Sequence, residues 1–197
     1  MLGRFSFGVH LAKVVAVIGL SLACAAPARA DFFSDLFGGG QPSRDARPRA
    51  AAIPRETVAY SGHERPGSII VSTSQRRLYY VLGDGQALRY GVGVGRPGFE
   101  WSGAHQVTNK REWPGWTPPP QMIRRRPDLP RHMEGGIGNP LGARAIYIGG
   151  TMFRIHGSNE PDTIGQAVSS GCIRMTNNDV VDLYDRVRIG ARVVVQR

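Results

Sequence analysis

Two side chains that can carry out nucleophilic chemistry, a thiol and an imidazole, lie sixteen residues apart in the C-terminal part of the chain. The thiol is Cys172, in the run Ser169-Ser170-Gly171-Cys172-Ile173-Arg174, and the imidazole is His156, which directly follows a β-prone run. The sequence places Cys172 between a glycine and the start of a predicted helix, where backbone N–H groups and the helix N-terminus favour a thiolate. A histidine at a strand end can meet such a cysteine and act as its base. The pair therefore predicts cysteine acyl transfer.

Both residues also have purely structural interpretations. A buried cysteine packs as a small hydrophobic residue, and a histidine beside a glycine is often only a turn residue. Metal binding is less well supported, because the other histidines beyond the N-terminal segment lack any tight ligand spacing with Cys172. These histidines are His63, His105 and His132. We expect neither a metal nor another cofactor.

The N-terminus has the three parts of a secretory signal peptide. Arg4 and Lys13 precede the apolar run 14–26, which ends in Ala28-Arg29-Ala30. The run is short for a membrane span, so we expect residues 1–30 to be removed and no stable membrane insertion to remain. An alternative is a lipoprotein signal ending at Cys24. Cleavage after residue 30 removes Cys24 and leaves Cys172 as a lone thiol in an exported protein, which is either inert or reactive.

Composition and charge restrict the function without choosing it. The 197 residues are 41% hydrophobic and 20% charged, which is typical of a soluble globular protein, and 26 Gly with 14 Pro favour turn-rich β structure. The formal net charge is +10, and loss of Arg4, Lys13 and Arg29 with the signal peptide leaves +7. Such a charge suits nucleic acid, acidic lipid or a carboxylate-rich polymer. Because the arginines are scattered, the charge alone selects no partner.

The rest of the chain divides into a linker and one domain. Residues 31–57, with three consecutive glycines and arginines among small residues, predict a disordered linker, and residues 58–197 predict the domain. Within the domain, Asp84-Gly85 separates two β-prone runs and predicts a hairpin. Thr176 begins a capping pattern before apolar residues at helical spacing. The strand candidates are 68–72, 78–82, 87–94, 145–148, 152–155 and a last strand within 189–195. We therefore expect a mainly β domain with one good helix.

A long irregular segment, residues 113–142, interrupts this pattern. Its first part contains the run Trp113-Pro114-Gly115-Trp116-Thr117-Pro118-Pro119-Pro120, which is incompatible with a helix or a central strand because proline lacks the N–H donor. A stretch of this length without predicted elements inside a compact domain is usually a functional lid or binding loop.

The motif around the thiol and the imidazole resembles that of a known enzyme family. His156-Gly157-Ser158 and, after a matching spacer, Ser169-Ser170-Gly171-Cys172-Ile173-Arg174 are similar to the paired motif of the L,D-transpeptidase catalytic domain, the YkuD-like family. The resemblance extends through residues 116–119 and 139–142 and covers about 68–196. One departure is Ser170, where many members carry histidine, so a second imidazole is missing there.

This resemblance implies a β-sandwich with one short helix following the catalytic cysteine, and an exported, periplasmic enzyme that crosslinks peptidoglycan stem peptides. Cys172 would attack the carbonyl of the third stem residue and expel the terminal D-alanine. The amine of a neighbouring stem would then resolve the thioester and form a 3-3 crosslink. Peptidoglycan stems and carbapenem-type inhibitors are the expected partners, and nucleic acid is not.

The chemistry of the residues agrees with these implied roles. His156 would activate Cys172, and the Gly157 carbonyl would orient the imidazole through its other ring nitrogen. The backbone N–H groups of Gly171 and Cys172 are candidates for an oxyanion hole, with Ser169 and Ser170 as neighbouring substrate contacts. Arg174 could hold a substrate carboxylate by a bidentate ion pair, or be a surface cation that caps nearby carbonyls.

Three rival functions remain compatible with the sequence. The same pair with water as acceptor would make an L,D-carboxypeptidase, and a protein amine as acceptor would make an enzyme that attaches a protein to the wall. A non-catalytic wall-binding module is the third, and the intact Cys172–His156 pair argues against it.

Overall fold

The structure is a computed structural model that describes residues 53–197. The predicted signal peptide, Cys24 and residues 31–52 of the predicted linker lie outside the described residues. Inside the described range no helix has the length and apolar character needed to cross a bilayer.

Strands dominate this part of the chain, as predicted, with two α-helices and one 3₁₀ turn at Pro161–Thr163 among residues 53–197. The strands are β1 (Glu56–Ala59), β2 (Ile69–Ser72), β3 (Arg77–Gly83), β4 (Gln86–Gly91), β5 (Val94–Gly95), β6 (Gly103–Glu112), β7 (Arg144–Ile148), β8 (Arg154–His156), β9 (Ala167–Ser169), β10 (Ile173–Arg174) and β11 (Arg192–Gln196). The helices are α1 (Pro120–Arg125) and α2 (Asn177–Arg186). The expectation of a mainly β fold with a helix after Cys172 is confirmed.

Nine strands form one continuous sheet in the order β1-β4-β3-β2-β11-β6-β7-β8-β10, and β5 pairs with β9. The long strand β6 joins two halves of the sheet, because its first residues pair with β11 and its later residues pair with β7. Buried apolar side chains from both halves and from α2 belong to one core cluster. Ile69, Leu78, Ile146, Ile155 and Leu183 in this cluster are all completely buried.

Two local predictions are confirmed in detail. The hairpin between β3 and β4 turns at Asp84 and Gly85, whose φ angles of 49° and 68° are those of a type I′ turn. Helix α2 begins after Thr176, whose side chain accepts a hydrogen bond from the Asp179 N–H at 3.1 Å. The helix buries Val180 and Leu183.

Several elements were not expected from the sequence, among them the short strands β9 and β10. Strand β6 is largely polar and its only fully buried side chain is Val107, so it carries little hydrophobic signal. Strand β1 starts at Glu56, inside the predicted linker. Helix α1 lies in the segment predicted to be irregular, and it begins at Pro120, because proline at the first helical position lacks only an N–H that would have no partner anyway.

Candidate active site

The pairing of β8 with β10 brings the predicted thiol and imidazole to one face of the sheet. The two strands are parallel, with Ile155 opposite Ile173 and His156 opposite Arg174. Ile155 and Ile173 are completely buried in the core. Because side chains alternate along a strand, His156 and Arg174 lie on the other face, together with the residues two positions before them, Arg154 and Cys172. These last four residues line a cavity of about 60 Å³.

Cys172 lies immediately before a strand, not at the start of a helix, so that prediction is wrong. Strand β10 separates it from α2, which begins only at Asn177. Pairing with β8, which is distant in sequence, gives residues 173 and 174 a strand conformation. Local sequence patterns place these residues just before the helix. The favourable field of a helix N-terminus falls off within about one turn. The charges that act on the thiol must therefore come from neighbouring side chains.

The turn before the thiol is held by hydrogen bonds from both sides. The Ser169 hydroxyl donates to the Cys172 carbonyl at 2.6 Å and accepts the Gly171 N–H at 3.1 Å. The Trp101 indole N–H donates to the Gly171 carbonyl at 2.6 Å. Gly171 has a φ of 107°, and a β-carbon there would collide with the Phe153 ring. This position therefore requires glycine, and the turn presents Cys172 in a defined orientation.

One of these hydrogen bonds occupies a predicted donor of the oxyanion hole. The Gly171 N–H already has the Ser169 hydroxyl as its acceptor. The other predicted donor is the Cys172 N–H. Among the described residues it has no acceptor that would compete with an oxyanion. Ser170 also lines the cavity, and its hydroxyl lies 3.2 Å from a guanidinium nitrogen of Arg96.

His156 is buried, with 4% of its surface exposed, and its orientation is set by its own chain. Its Nδ1 lies 2.6 Å from the carbonyl oxygen of Gly157. A carbonyl can only accept, so Nδ1 carries the proton and Nε2 is the nitrogen that can take one. Burial, followed by the positive charges of Arg174 and Arg154, lowers the pKa of His156 to about 3. The imidazole is therefore neutral at neutral pH.

Asn177, the first residue of α2, positions the backbone on which His156 depends. Its side-chain oxygen accepts the Ala143 N–H at 2.9 Å, and it lies so close to Gly142 and Gly157 that a β-carbon at either would collide with it. The helix thus contributes to the site by holding the Ala143 backbone and by packing against Gly142 and Gly157.

The Cys172 thiol lies among positive groups. Burial raises the pKa of the thiol, and the Arg154 backbone N–H, the Arg154 guanidinium and the charge of Arg174 act in the opposite direction. Cys172 is not in a disulfide and keeps part of its surface accessible.

Arg174 is buried, with 4% of its surface exposed, so the alternative that it is a surface cation is wrong. One guanidinium nitrogen lies 3.1 Å from a Glu160 carboxylate oxygen and 3.4 Å from the Thr163 hydroxyl. Burial lowers the pKa of Arg174, and the Glu160 charge partly offsets this effect. The guanidinium lines the cavity but already has a carboxylate partner inside the protein.

The segment predicted to be a lid or binding loop lies against the cavity. Trp116, Met122, Leu129 and Leu141 form a small apolar cluster of their own, and three of them, Trp116, Met122 and Leu141, line the cavity. The segment is held by Asn139, whose amide donates to the Glu134 carbonyl at 2.9 Å. Within residues 53–197 no three His, Cys, Asp or Glu side chains come together as a metal site would require.

Sequence reasoning missed three residues of the site: Arg154, Trp101 and Glu160. For Arg154 a signal was present, because it is two positions before His156 in a β-prone run and so shares its face. Trp101 and Glu160 reach the site only through tertiary contacts, and no local pattern marks them.

Known proteins that are similar to this chain indicate its family. The family model of the L,D-transpeptidase catalytic domain, YkuD, matches residues 66–195. The probable L,D-transpeptidase ErfK/SrfK of Escherichia coli K12 is 38% identical over 136 residues, which are 64% of this chain and 43% of that protein. The chain thus spans less than half the length of this relative.

Two solved structures are also similar. One, from Brucella melitensis, is described as a probable carnitine operon oxidoreductase caia; it is 45% identical with a TM-score of 0.50, over 73% of this chain and 94% of that one. That description applies to the Brucella protein alone. The other is L,D-transpeptidase 3 from Mycobacterium tuberculosis with a faropenem-derived adduct, at 20% identity and a TM-score of 0.50, over 66% of this chain and 60% of that one. The second likeness concerns the fold only. Since the domain model covers most of residues 53–197 and includes both Cys172 and His156, the chain belongs to the YkuD family of L,D-transpeptidase catalytic domains.

Proposed function

We propose that this chain is an exported L,D-transpeptidase that acts on peptidoglycan stem peptides in the periplasm. It cleaves after the third residue of a tetrapeptide stem, releases D-alanine and joins the acyl group to a second stem in a 3-3 crosslink. The observation that carries the proposal is the shared face of Cys172 and His156, with the imidazole fixed by the Gly157 carbonyl at 2.6 Å.

The acylation step uses the neutral imidazole as a base. His156 Nε2 takes the thiol proton while the Cys172 sulfur attacks the carbonyl carbon of the third stem residue. The tetrahedral intermediate then collapses, the C–N bond to D-alanine breaks, and the imidazolium returns the proton to the leaving amine. The product is a thioester on Cys172, with neutral His156 restored.

The second step regenerates the thiol. An amine of the acceptor stem attacks the thioester carbonyl, His156 takes a proton from that nitrogen, and the C–S bond breaks. The departing sulfur receives the proton from His156. With water in place of the amine, the same steps give a tripeptide, which is the L,D-carboxypeptidase alternative.

Substrate contacts are proposed for the residues around the thiol. The Cys172 N–H would donate to the oxyanion, and Ser170 lies in the cavity next to it. Arg174 could receive a substrate carboxylate only by sharing its guanidinium with Glu160 or by exchanging that partner. Because the cavity holds only about 60 Å³, most of a stem peptide must lie outside it or displace the Trp116 segment.

The deciding experiment incubates the purified protein, without its predicted signal peptide, with disaccharide tetrapeptides and determines the products by mass. A crosslinked dimer with released D-alanine supports the proposal. Tripeptide alone supports the carboxypeptidase, and a peptide adduct on an added acceptor protein supports an attaching enzyme. The control is Cys172→Ala, which should give none of these products. Mass spectrometry of the protein recovered from the periplasmic fraction tests export, since cleavage after Ala30 leaves Asp31 as the first residue.

A further inference from the structure

We propose that Arg154 is a catalytic residue whose guanidinium stabilises the negative charge on the Cys172 sulfur during attack. This inference rests on the proposed role of Cys172 as the nucleophile. The motif residues His156 and Cys172 do not themselves provide this stabilisation of the charged sulfur.

The register of the sheet puts Arg154 beside the thiol. Ile155 is paired with Ile173, so the preceding residues, Arg154 and Cys172, are neighbours across the two strands and share a face. Arg154 and Cys172 line the same cavity, and the backbone N–H and the guanidinium of Arg154 both act to lower the pKa of the thiol. Both groups are donors, and donors of this kind favour a sulfur that carries negative charge.

The guanidinium is held in place and is not neutralised. It lies over the Tyr147 ring, 5.3 Å from the ring centre, which supports the side chain from β7. Its Nε is buried and has no hydrogen-bond partner among residues 53–197, and no carboxylate in that range pairs with it. A cation without a counter-ion beside a nucleophile interacts strongly with any charge that develops there.

The other charged groups around Cys172 are less suited to this task, although the charge of Arg174 also lowers the pKa of the thiol. Arg174 is already paired with Glu160, and Arg96 lies against the Ser170 hydroxyl. His156 is neutral at neutral pH, because its pKa is about 3, so it supplies no resting positive charge. Formation of the charged sulfur therefore depends on Arg154 more than in a site where a protonated histidine stands next to the thiol.

The test measures the nucleophile directly, by alkylating Cys172 with iodoacetamide across pH 5 to 10. In this reaction the thiol loses its proton, the sulfur forms a bond to the methylene carbon and iodide leaves. No peptide substrate is needed, so the result is independent of whether the protein crosslinks stems.

Four proteins are compared: wild type, Arg154→Gln, Arg154→Lys and the matched control Arg111→Gln, which removes an exposed arginine of β6. We expect Arg154→Gln to raise the midpoint of the pH profile by about one unit, which slows alkylation at pH 7 about tenfold. Arg154→Lys should restore most of the shift, and Arg111→Gln should match wild type.

A merely structural role gives a different result. If Arg154→Gln slows alkylation equally at every pH, or its profile superimposes on that of wild type, the proposal is overturned. Thermal melts accompany each variant, and Arg154→Met replaces Arg154→Gln if the latter does not fold. If the midpoint shifts but no crosslinked product forms, the assignment of Arg154 stands and the proposed transpeptidase function fails.

Discussion

Arg174 and Glu160 form an ion pair inside the domain, fourteen residues apart in sequence, with a nitrogen–oxygen distance of 3.1 Å. Both side chains are largely buried, with 5% and 11% of their surface exposed. Because removal of one member leaves the other as a buried, uncompensated charge, such pairs are costly to break. Arg174, which the sequence predicts to be a substrate contact, therefore also has a structural partner.

The ion pair leads to a prediction for Arg174→Ala. We expect it to lower the free energy of unfolding by about 3–5 kcal/mol, because Glu160 loses its partner. Arg174→Lys keeps the charge and should cost less, and Glu160→Gln in the Arg174→Ala background should recover part of the loss. Denaturant unfolding of the three variants measures this. A melt unchanged by Arg174→Ala, with kcat/KM reduced, would instead support a role in substrate binding alone.

Cys172→Ala should abolish both crosslinking and trimming of stem peptides while the fold remains intact. The change removes one sulfur from a partly exposed position and adds no volume. Product analysis by mass, with a thermal melt to show that the variant is folded, checks this. Turnover retained by the alanine variant would exclude Cys172 as the nucleophile.

A carbapenem should acylate Cys172, and His156→Ala should slow the reaction. The strained lactam carbonyl is attacked by the same sulfur, and the variant lacks the Nε2 that accepts the thiol proton. Intact-mass spectrometry over time, followed by peptide mapping, gives the rate and the modified residue. An adduct at another residue, or equal rates in both proteins, would count against the site.

His156 should also make stability depend on pH. Its pKa is about 3 in the folded chain and about 6.5 when unfolded, so between these values the unfolded state binds more protons. The stabilisation is complete above about pH 6.5 and is lost as the pH falls toward 3. In His156→Gln the slope of unfolding free energy against pH in this window should be smaller, by up to about 1.4 kcal/mol per pH unit. Equal slopes in urea unfolding at pH 4, 5, 6 and 7 would contradict the buried, neutral imidazole.

Gly171→Ala should destabilise the domain and displace the nucleophile. The φ of 107° is unfavourable for alanine, and the new methyl group would meet the Phe153 ring. The control is Gly190→Ala, where φ is also positive, at 88°, but no atom lies within 4 Å of the new carbon. We expect the control to lose about 1–3 kcal/mol with normal activity per folded molecule, and Gly171→Ala to lose more stability together with activity. The two variants behaving alike would show that contact with Phe153 is unimportant.

The elements that the sequence predicts correctly are those specified by neighbouring residues. The Asp84-Gly85 turn, the Thr176 cap and the apolar spacing of α2 each depend on a few consecutive positions. Strand β6 cannot be predicted from neighbouring residues, because its polar residues form a strand only by pairing with β7 and β11. The thiol and the imidazole could likewise be identified from their residue types and motif, without knowledge of their distance.

Tertiary structure alone decided how the environment of the thiol is built. Parallel pairing of β8 with β10 placed Cys172, the residue just before β10, beside Arg154, although the sequence predicts a helix start there. The Trp101 indole donates to the Gly171 carbonyl, 70 residues away in sequence, and Glu160 pairs with Arg174, 14 residues away in sequence. These contacts are long-range, and local propensity carries no information about which distant strand or loop supplies a partner. The sequence by itself therefore determined which two side chains are proposed to react, whereas the packing of the sheet determined the charges around them.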